Sequence, residues 1–343
     1  MNRKCRMRKG ISRSLIAAAV AAIAIPAAAQ NIQLYGIADI GIAVTNFDGD
    51  TLTNVRENRT ARYGLRGNEK LSSDIEVLFR LEGEVDMSTG QNPDGLFYRQ
   101  AWLGVKTQYG IGRLGQTKDL FDDLSEYIDP FRNDGIVGDF TKRAWRVGVA
   151  KSRVSNSFTY EAPNLSGLKL AGQYSMDETT DGSGNPGWSV AGVYEYHDLM
   201  LLASYDRPTL TSAGPQPEAW FVGAAYQFGP VRLSASYNSG DLNNATAKTA
   251  ATDLKAYTVG VAWSVGPGVA KGVYSSMDSS AGNVNASIRD LSVWGLGYDY
   301  PLSRRTTLYF LAVYEGDGQY NSTTKKFVTG TTTGAQFGIT HFF

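Results

Sequence analysis

Apolar and polar residues alternate with a period of two along most of the chain. Ile32, Leu34, Ile40, Ile42 and Val44 share one parity; Gln33, Tyr35, Asp39 and Gly41 share the other. The same rhythm sets Ile75, Val77, Phe79 and Leu81 against Glu76, Arg80 and Glu82. It returns at Trp220, Val222, Ala224, Tyr226 and Phe228, and at Tyr257, Val259, Val261, Trp263 and Val265. Alternation of this kind predicts strands with one apolar and one polar face. A helical stripe is expected nowhere after the N-terminal segment, except for a turn or two near Asp119 to Tyr127.

The connections sharpen the picture. Short turns are predicted at 68–72, 107–111, 162–167, 197–199, 229–230, 266–268 and 301–305, marked by Gly110, Pro163-Asn164, Gly229-Pro230, Gly266-Pro267-Gly268 and Pro301. Long polar segments lie between them, at 46–56, 87–96, 117–142, 177–187, 207–218, 239–253, 278–290 and 316–333. Strict short–long alternation over sixteen strands puts all long loops at one end, as in a transmembrane barrel. Helices and closed barrels are the structures that satisfy the backbone within lipid. No apolar stretch after the N-terminal segment is long enough for a spanning helix. The predicted fold is therefore all-β, a 16-stranded antiparallel transmembrane β-barrel. A barrel of this size is too wide for side chains to fill and holds water. Tyr35, Tyr174, Phe228, Tyr237 and Tyr298, near strand ends, are expected in the interfacial aromatic girdles.

The N-terminal segment reads as an export signal. Arg3, Lys4, Arg6, Arg8, Lys9 and Arg13 precede an apolar run from Leu15 to Ile25, which is followed by Ala27-Ala28-Ala29. Residues 1–29 are expected to be removed, leaving 30–343 as a single barrel domain. The six basic residues of the signal then leave 27 basic and 33 acidic residues in the mature chain. That acidic balance argues against nucleic acid as a partner. The only cysteine, Cys5, lies in the signal, so neither disulfides nor thiol–metal sites are expected, and no cofactor or metal is called for.

Several segments carry a family resemblance. They are Leu34-Tyr35-Gly36 with Asp39, Arg62-Tyr63-Gly64-Leu65-Arg66-Gly67, Phe97-Tyr98-Arg99-Gln100-Ala101-Trp102-Leu103-Gly104, and Gly112-Arg113-Leu114-Gly115-Gln116. Arg153-Val154-Ser155-Asn156-Ser157, with Tyr160 and Pro163, and the terminal Phe343 complete the set. In this order and spacing the chain resembles the trimeric general porins of Gram-negative bacteria, most closely the β-proteobacterial type. The resemblance implies a homotrimer in the outer membrane, among lipid and lipopolysaccharide, with one pore per subunit for small hydrophilic solutes and ions. It also implies that the third long loop folds inward, its acids facing a ladder of wall arginines. Phe343 is implied to signal to the barrel-assembly machinery.

Candidate pore residues follow from parity and from that resemblance. Arg62, Arg66, Arg80, Arg113 and Arg153 oppose apolar neighbours, so they are expected to line the lumen; a mid-strand arginine facing lipid costs about 2–4 kcal/mol. Arg99 has the parity of Leu103 and Val105, and only the resemblance assigns it to the ladder. Segment 117–142 carries Asp119, Asp122, Asp123, Glu126, Asp129, Asp134 and Asp139. Of these, Asp122, Asp123, Glu126, Asp129 and Asp134 are the candidate acids, and Arg132 is a basic residue where the family often has none. Clustered arginines favour weak anion preference. Alternatives are a substrate-specific channel and, less favoured, an adhesin barrel or an enzyme; His197 and His341, the only histidines, have no nucleophile motif beside them.

Overall fold

The computed structural model describes residues 31–343 apart from 93, 146–151, 177–184, 210–215, 217, 243–251, 280–290, 317–318, 322–325 and 329. The segment expected to be an export signal, residues 1–29, lies outside the described residues. Among those described, seventeen strands form one antiparallel sheet. They are β1 (Asn31–Phe47), β2 (Asp50–Arg56), β3 (Arg62–Lys70), β4 (Glu76–Glu84), β5 (Gln100–Thr107), β6 (Gly110–Lys118), β7 (Arg153–Glu161), β8 (Leu168–Ser175) and β9 (Gly187–Tyr196). Then come β10 (Leu199–Arg207), β11 (Ala219–Phe228), β12 (Val231–Leu242), β13 (Thr252–Val265), β14 (Gly268–Ser279), β15 (Leu291–Pro301) and β16 (Thr306–Gly316). A two-stranded hairpin, β17 (Gln319–Asn321) with β18 (Lys326–Val328), precedes β19 (Thr332–Phe342), the last strand of the sheet.

β2 and β3 both pair with β1, end to end, so they are two halves of one wall strand. The wall therefore has sixteen staves. It closes where Ile37–Phe47 of β1 pairs with Thr332–Phe342 of β19. Six of the seven short connections fall where turn residues predict them; the first, expected at 68–72, lies at 71–75 because β3 stays paired as far as Lys70. Gly229 and Gly266, for example, take positive φ (54° and 60°) in two-residue turns.

The burial pattern is inverted relative to a soluble protein. Leu34, Ile42, Leu103, Trp220, Val259 and Leu296 are exposed, while Ser157, Gln173, Ser189, Asn238, Thr258 and Gln336 are buried. The apolar parity meets lipid and the polar parity lines the inside. Inward polar side chains satisfy one another: Gln173 donates to Thr117 (2.8 Å) and Thr159 (3.1 Å), and Thr258 pairs with Ser275 (2.8 Å).

Three expectations need correction. The first long polar segment, 46–56, is a tight hairpin at Asp48-Gly49; the chain then leaves the wall at residues 57–61, and Asn58 donates its backbone N–H to buried Asp39 (2.8 Å). The turn or two of helix expected near Asp119 to Tyr127 is the helix Leu120–Ser125, but a second helix, Gly135–Trp145, forms where none was expected. Tyr35 does not join a girdle. Its ring lies on the inner wall, where the hydroxyl donates to Glu82 (2.7 Å).

Candidate pore constriction

The connection between β6 and β7 is built from its own sequence. Asp119 caps the first helix, accepting N–H groups from Phe121 (2.9 Å) and Asp122 (3.1 Å). Asp129, fully enclosed, accepts from the N–H of Phe131 (2.8 Å) and Asn133 (3.0 Å) and from the Thr141 hydroxyl (2.9 Å). Burial pushes its pKa up, and these donors oppose the shift. The turn so formed carries Arg132 and Asn133 at φ of 56° and 58°.

This loop lies along the inner wall. Phe121, Leu124 and Ile128 pack with Leu202 and Phe221; Phe131, Ile136 and Val137 pack with Leu254, Val273, Val293 and Leu311. Inner-face glycines admit it, because a Cβ at Gly295 would meet Val137, one at Gly297 would meet Phe131, and one at Gly260 would meet Pro130. The loop thus covers the wall from β8 round to β19 and leaves the opening against β3 to β7.

In that opening the two sets of charges meet. A cavity of about 230 Å³ is lined by Arg99 and Arg153 on the wall side and by Asp122, Glu126 and Asp134 on the loop. Arg62 lies beside it, within electrostatic range of Arg99, Asp134 and Glu126. Glu82, almost fully buried, holds the arginines in place: it lies 2.9 Å from Arg99 Nε and 4.0 Å from Arg62. Arg99 also pairs with Glu84 at 2.9 Å. Arg99 precedes β5, and its N–H bonds to the Glu82 carbonyl (3.0 Å), so strand parity does not govern its direction. Burial raises the pKa of Glu126; Lys118, 2.6 Å away, opposes this, while Asp134 and Asp122 add to it.

The other candidates stand elsewhere. Arg66, Arg80 and Arg113 form a separate tier nearer the short turns, interleaved with aromatic rings. Arg66 lies 5.2 Å and Arg80 5.8 Å from the Tyr35 ring, and Arg113 lies 4.9 Å from Trp102. Asp123 pairs with Lys118 (2.9 Å) and, with Arg132, lines a chamber below the loop. Phe343 closes the seam, exchanging backbone hydrogen bonds with Gly36 (3.1 and 3.2 Å), and its ring occupies the space a Cβ there would need.

Sequence reading missed Glu82, Glu84, Lys118, Arg59, Arg232 and Lys271. Glu82 and Glu84 carried a signal, since they share the parity of Arg80. Arg59 lies in the unforeseen break at 57–61, and Arg232 follows a turn, where a basic residue reads as rim. His341 shares a hydrogen bond with Thr306 (2.9 Å), and His197 sits in a turn edge-on to Tyr196. Among the described residues no cluster of His, Cys, Asp and Glu could hold a metal ion.

A family model described as Gram-negative porin matches residues 16–319. The chain belongs to the Gram-negative porin family. This porin is 32% identical over 208 residues to outer membrane porin protein 32 of Delftia acidovorans, covering 57% of this chain and 58% of that one. It is 28% identical over 211 residues to an outer membrane porin of Bordetella pertussis, covering 53% of each chain. The porin thus spans little more than half the length of these curated relatives. Its fold matches the solved anion-selective porin from Comamonas acidovorans with a TM-score of 0.77 and 25% identity, over 92% of this chain and 100% of that one. OmpT of Vibrio cholerae, in a loop-deleted form, shares the fold at a TM-score of 0.70 and 14% identity. The relatives are channels of the outer membrane, and an outer-membrane barrel is what the inverted faces of this porin require.

Proposed function

We propose that this porin is a passive, water-filled channel for small hydrophilic solutes and ions, with a weak preference for anions. The observation that carries this reading is the meeting of Arg62, Arg99 and Arg153 with Asp122, Glu126 and Asp134 around one narrow opening. Opposed charges set a field across the neck. Polar solutes align in it, and apolar ones must displace ordered water. Glu84, which engages Arg99, also lines the opening with Asp94 and Lys142, so the anion preference rests on the side where the guanidiniums of Arg99 and Arg153 stand together, with Arg62 beside them. The likeness to an anion-selective porin supports the same sign. Catalysis has no support from the surroundings of either histidine.

Residues 1–29 are the export signal in this reading, and Phe343 is the mark read by the barrel-assembly machinery. The working form is a homotrimer. Exposed side chains on β1 to β6 are aliphatic, such as Ile42, Leu103, Val105 and Leu114, whereas the strands from β8 to β19 expose Trp188, Trp220, Trp263 and Trp294. Aromatic rings belong at the lipid interface, so the sector whose strands expose none, with Tyr109 of the β5–β6 turn its exposed ring, suits protein contact.

The test is a planar bilayer with a potassium chloride gradient across it. The expected reversal potential has the sign of chloride preference, and arabinose-sized sugars should enter proteoliposomes carrying the protein. Preference for potassium would overturn the selectivity, and a non-conducting, sugar-tight barrel would overturn the channel itself.

A further inference from the structure

The wall that the loop leaves uncovered carries a row of alternating cations and rings on the short-turn side of the neck. The guanidinium of Arg66 lies 5.2 Å from the centre of the Tyr35 ring, and that of Arg80 lies 5.8 Å from the same ring. Arg80 is also 5.9 Å from the Trp102 ring, and Arg113 is 4.9 Å from it on β6. Cation and ring thus alternate over five side chains without a break. Strand register sets the spacing: Arg66 pairs with Arg80, Arg80 with Trp102, and Arg113 with Gly104, two residues beyond Trp102 on β5.

Both rings are fixed in place. The Tyr35 hydroxyl donates to Glu82 (2.7 Å), and Trp102 Nε1 donates to Gln100 (2.9 Å). Tyr35 lies against Gly64, its partner on β3, where a Cβ would collide with the ring. A ring seated on backbone in this way turns its other face toward the lumen. Tyr35 and Trp102 are half-buried and Arg66 is exposed, so water reaches the row. Arg66 donates to Gln33 (3.0 Å), and Arg113 pairs with Glu161 (2.7 Å). Arg80 has no carboxylate partner among the described residues, and its Nε–H is buried without an acceptor. Its charge rests against the two rings. Guanidinium planes and aromatic faces stack on flat π systems, whereas a saturated ring has no π face to offer them.

We propose that Arg66, Tyr35, Arg80, Trp102 and Arg113 form a stacking track for planar aromatic solutes, which it holds longer than saturated rings of the same size. Recognition is by the flat face of the solute and does not need a charge on it. The proposal rests on the reading of the lumen as an open pore and adds to it a preference among uncharged polar solutes. A planar solute released from the neck slides along the row toward the short-turn end.

The experiment is single-channel chloride current with benzamide or cyclohexanecarboxamide titrated into the solution. Both are uncharged and carry the same amide on a six-membered ring, and only benzamide is flat. Benzamide should half-block the current at about a fivefold lower concentration, the size of a partly exposed cation–π contact. Trp102→Leu should remove most of that difference, and Trp102→Phe, which keeps a ring, should restore it. Circular dichroism of the sheet and heat-shifted gel mobility check folding. Should Trp102→Leu fail that check, Arg80→Gln, which removes the shared guanidinium and leaves both rings, should narrow the difference. Equal block by the two amides in the wild type overturns the track. So does stronger block by the saturated ring, the order that burial of apolar surface alone would give. An undiminished difference in the folded variant overturns it as well. A wild-type barrel that passes no chloride current overturns the pore reading instead.

Discussion

Glu126 lines both the neck and the chamber below it. Burial raises its pKa, and the neighbouring Asp134 and Asp122 act in the same direction against Lys118. Its carboxylate therefore takes up a proton at a higher pH than the ordinary glutamate value of about 4.3. Protonation removes a negative charge from the opening, so anion preference should rise as pH falls through that raised value. A unit charge 4 Å away is worth about 1 kcal/mol in water, roughly fivefold in local ion population, and this bounds the change in permeability ratio. Glu126→Gln should hold the channel in its acidic-side selectivity at every pH and remove the step. Reversal potentials measured from neutral to acidic pH check this; a wild-type value that does not move with pH would place Glu126 outside the ion path.

The loop lies close against the far wall because inner-face glycines receive it. Gly295→Leu puts a side chain where Val137 now sits, at a cost of about 1–3 kcal/mol for overpacking. The helix Gly135–Trp145 should lift toward the opening, and single-channel conductance should fall while the barrel still folds. Unchanged conductance would show that loop packing does not set the bore. The staves and short turns were legible because lipid imposes a strict alternation and turn residues act locally. Segment 46–56 was not: the end of β1 and nearly all of β2 are solvent-accessible on both parities, so the apolar half of the pattern disappears. The second helix was hidden for another reason. Its Gly135-Ile136-Val137-Gly138 start has low helical propensity, and packing of Ile136 and Val137 on the wall supplies what the sequence lacks. Parity turns Arg62 and Arg153 inward, and the structure places both at or beside the charged cavity. Parity could not find the inward turn of Arg99, which depends on Glu82 and Glu84 across the sheet.

Across the whole molecule the outer surface has two characters, an aliphatic sector on β1 to β6 and an aromatic-bearing remainder. Leu103→Lys and Val259→Lys each put a charge on an exposed apolar position, and at mid-depth each should destabilise the barrel by about 2–4 kcal/mol. Only Leu103→Lys should also release monomers on native gels or in light scattering. Dissociation by Val259→Lys alone would move the contact to the other side. The seam between β1 and β19 has a further meaning. The first stave needs the last as its neighbour, from Ile37 opposite Phe342 to Phe47 opposite Thr332. Until that final stretch has been delivered, the sheet has two open rims whose amides would face oil unpaired. Sealing of the ring therefore waits for delivery of β19, and a sheet without that strand has no stable place in the bilayer.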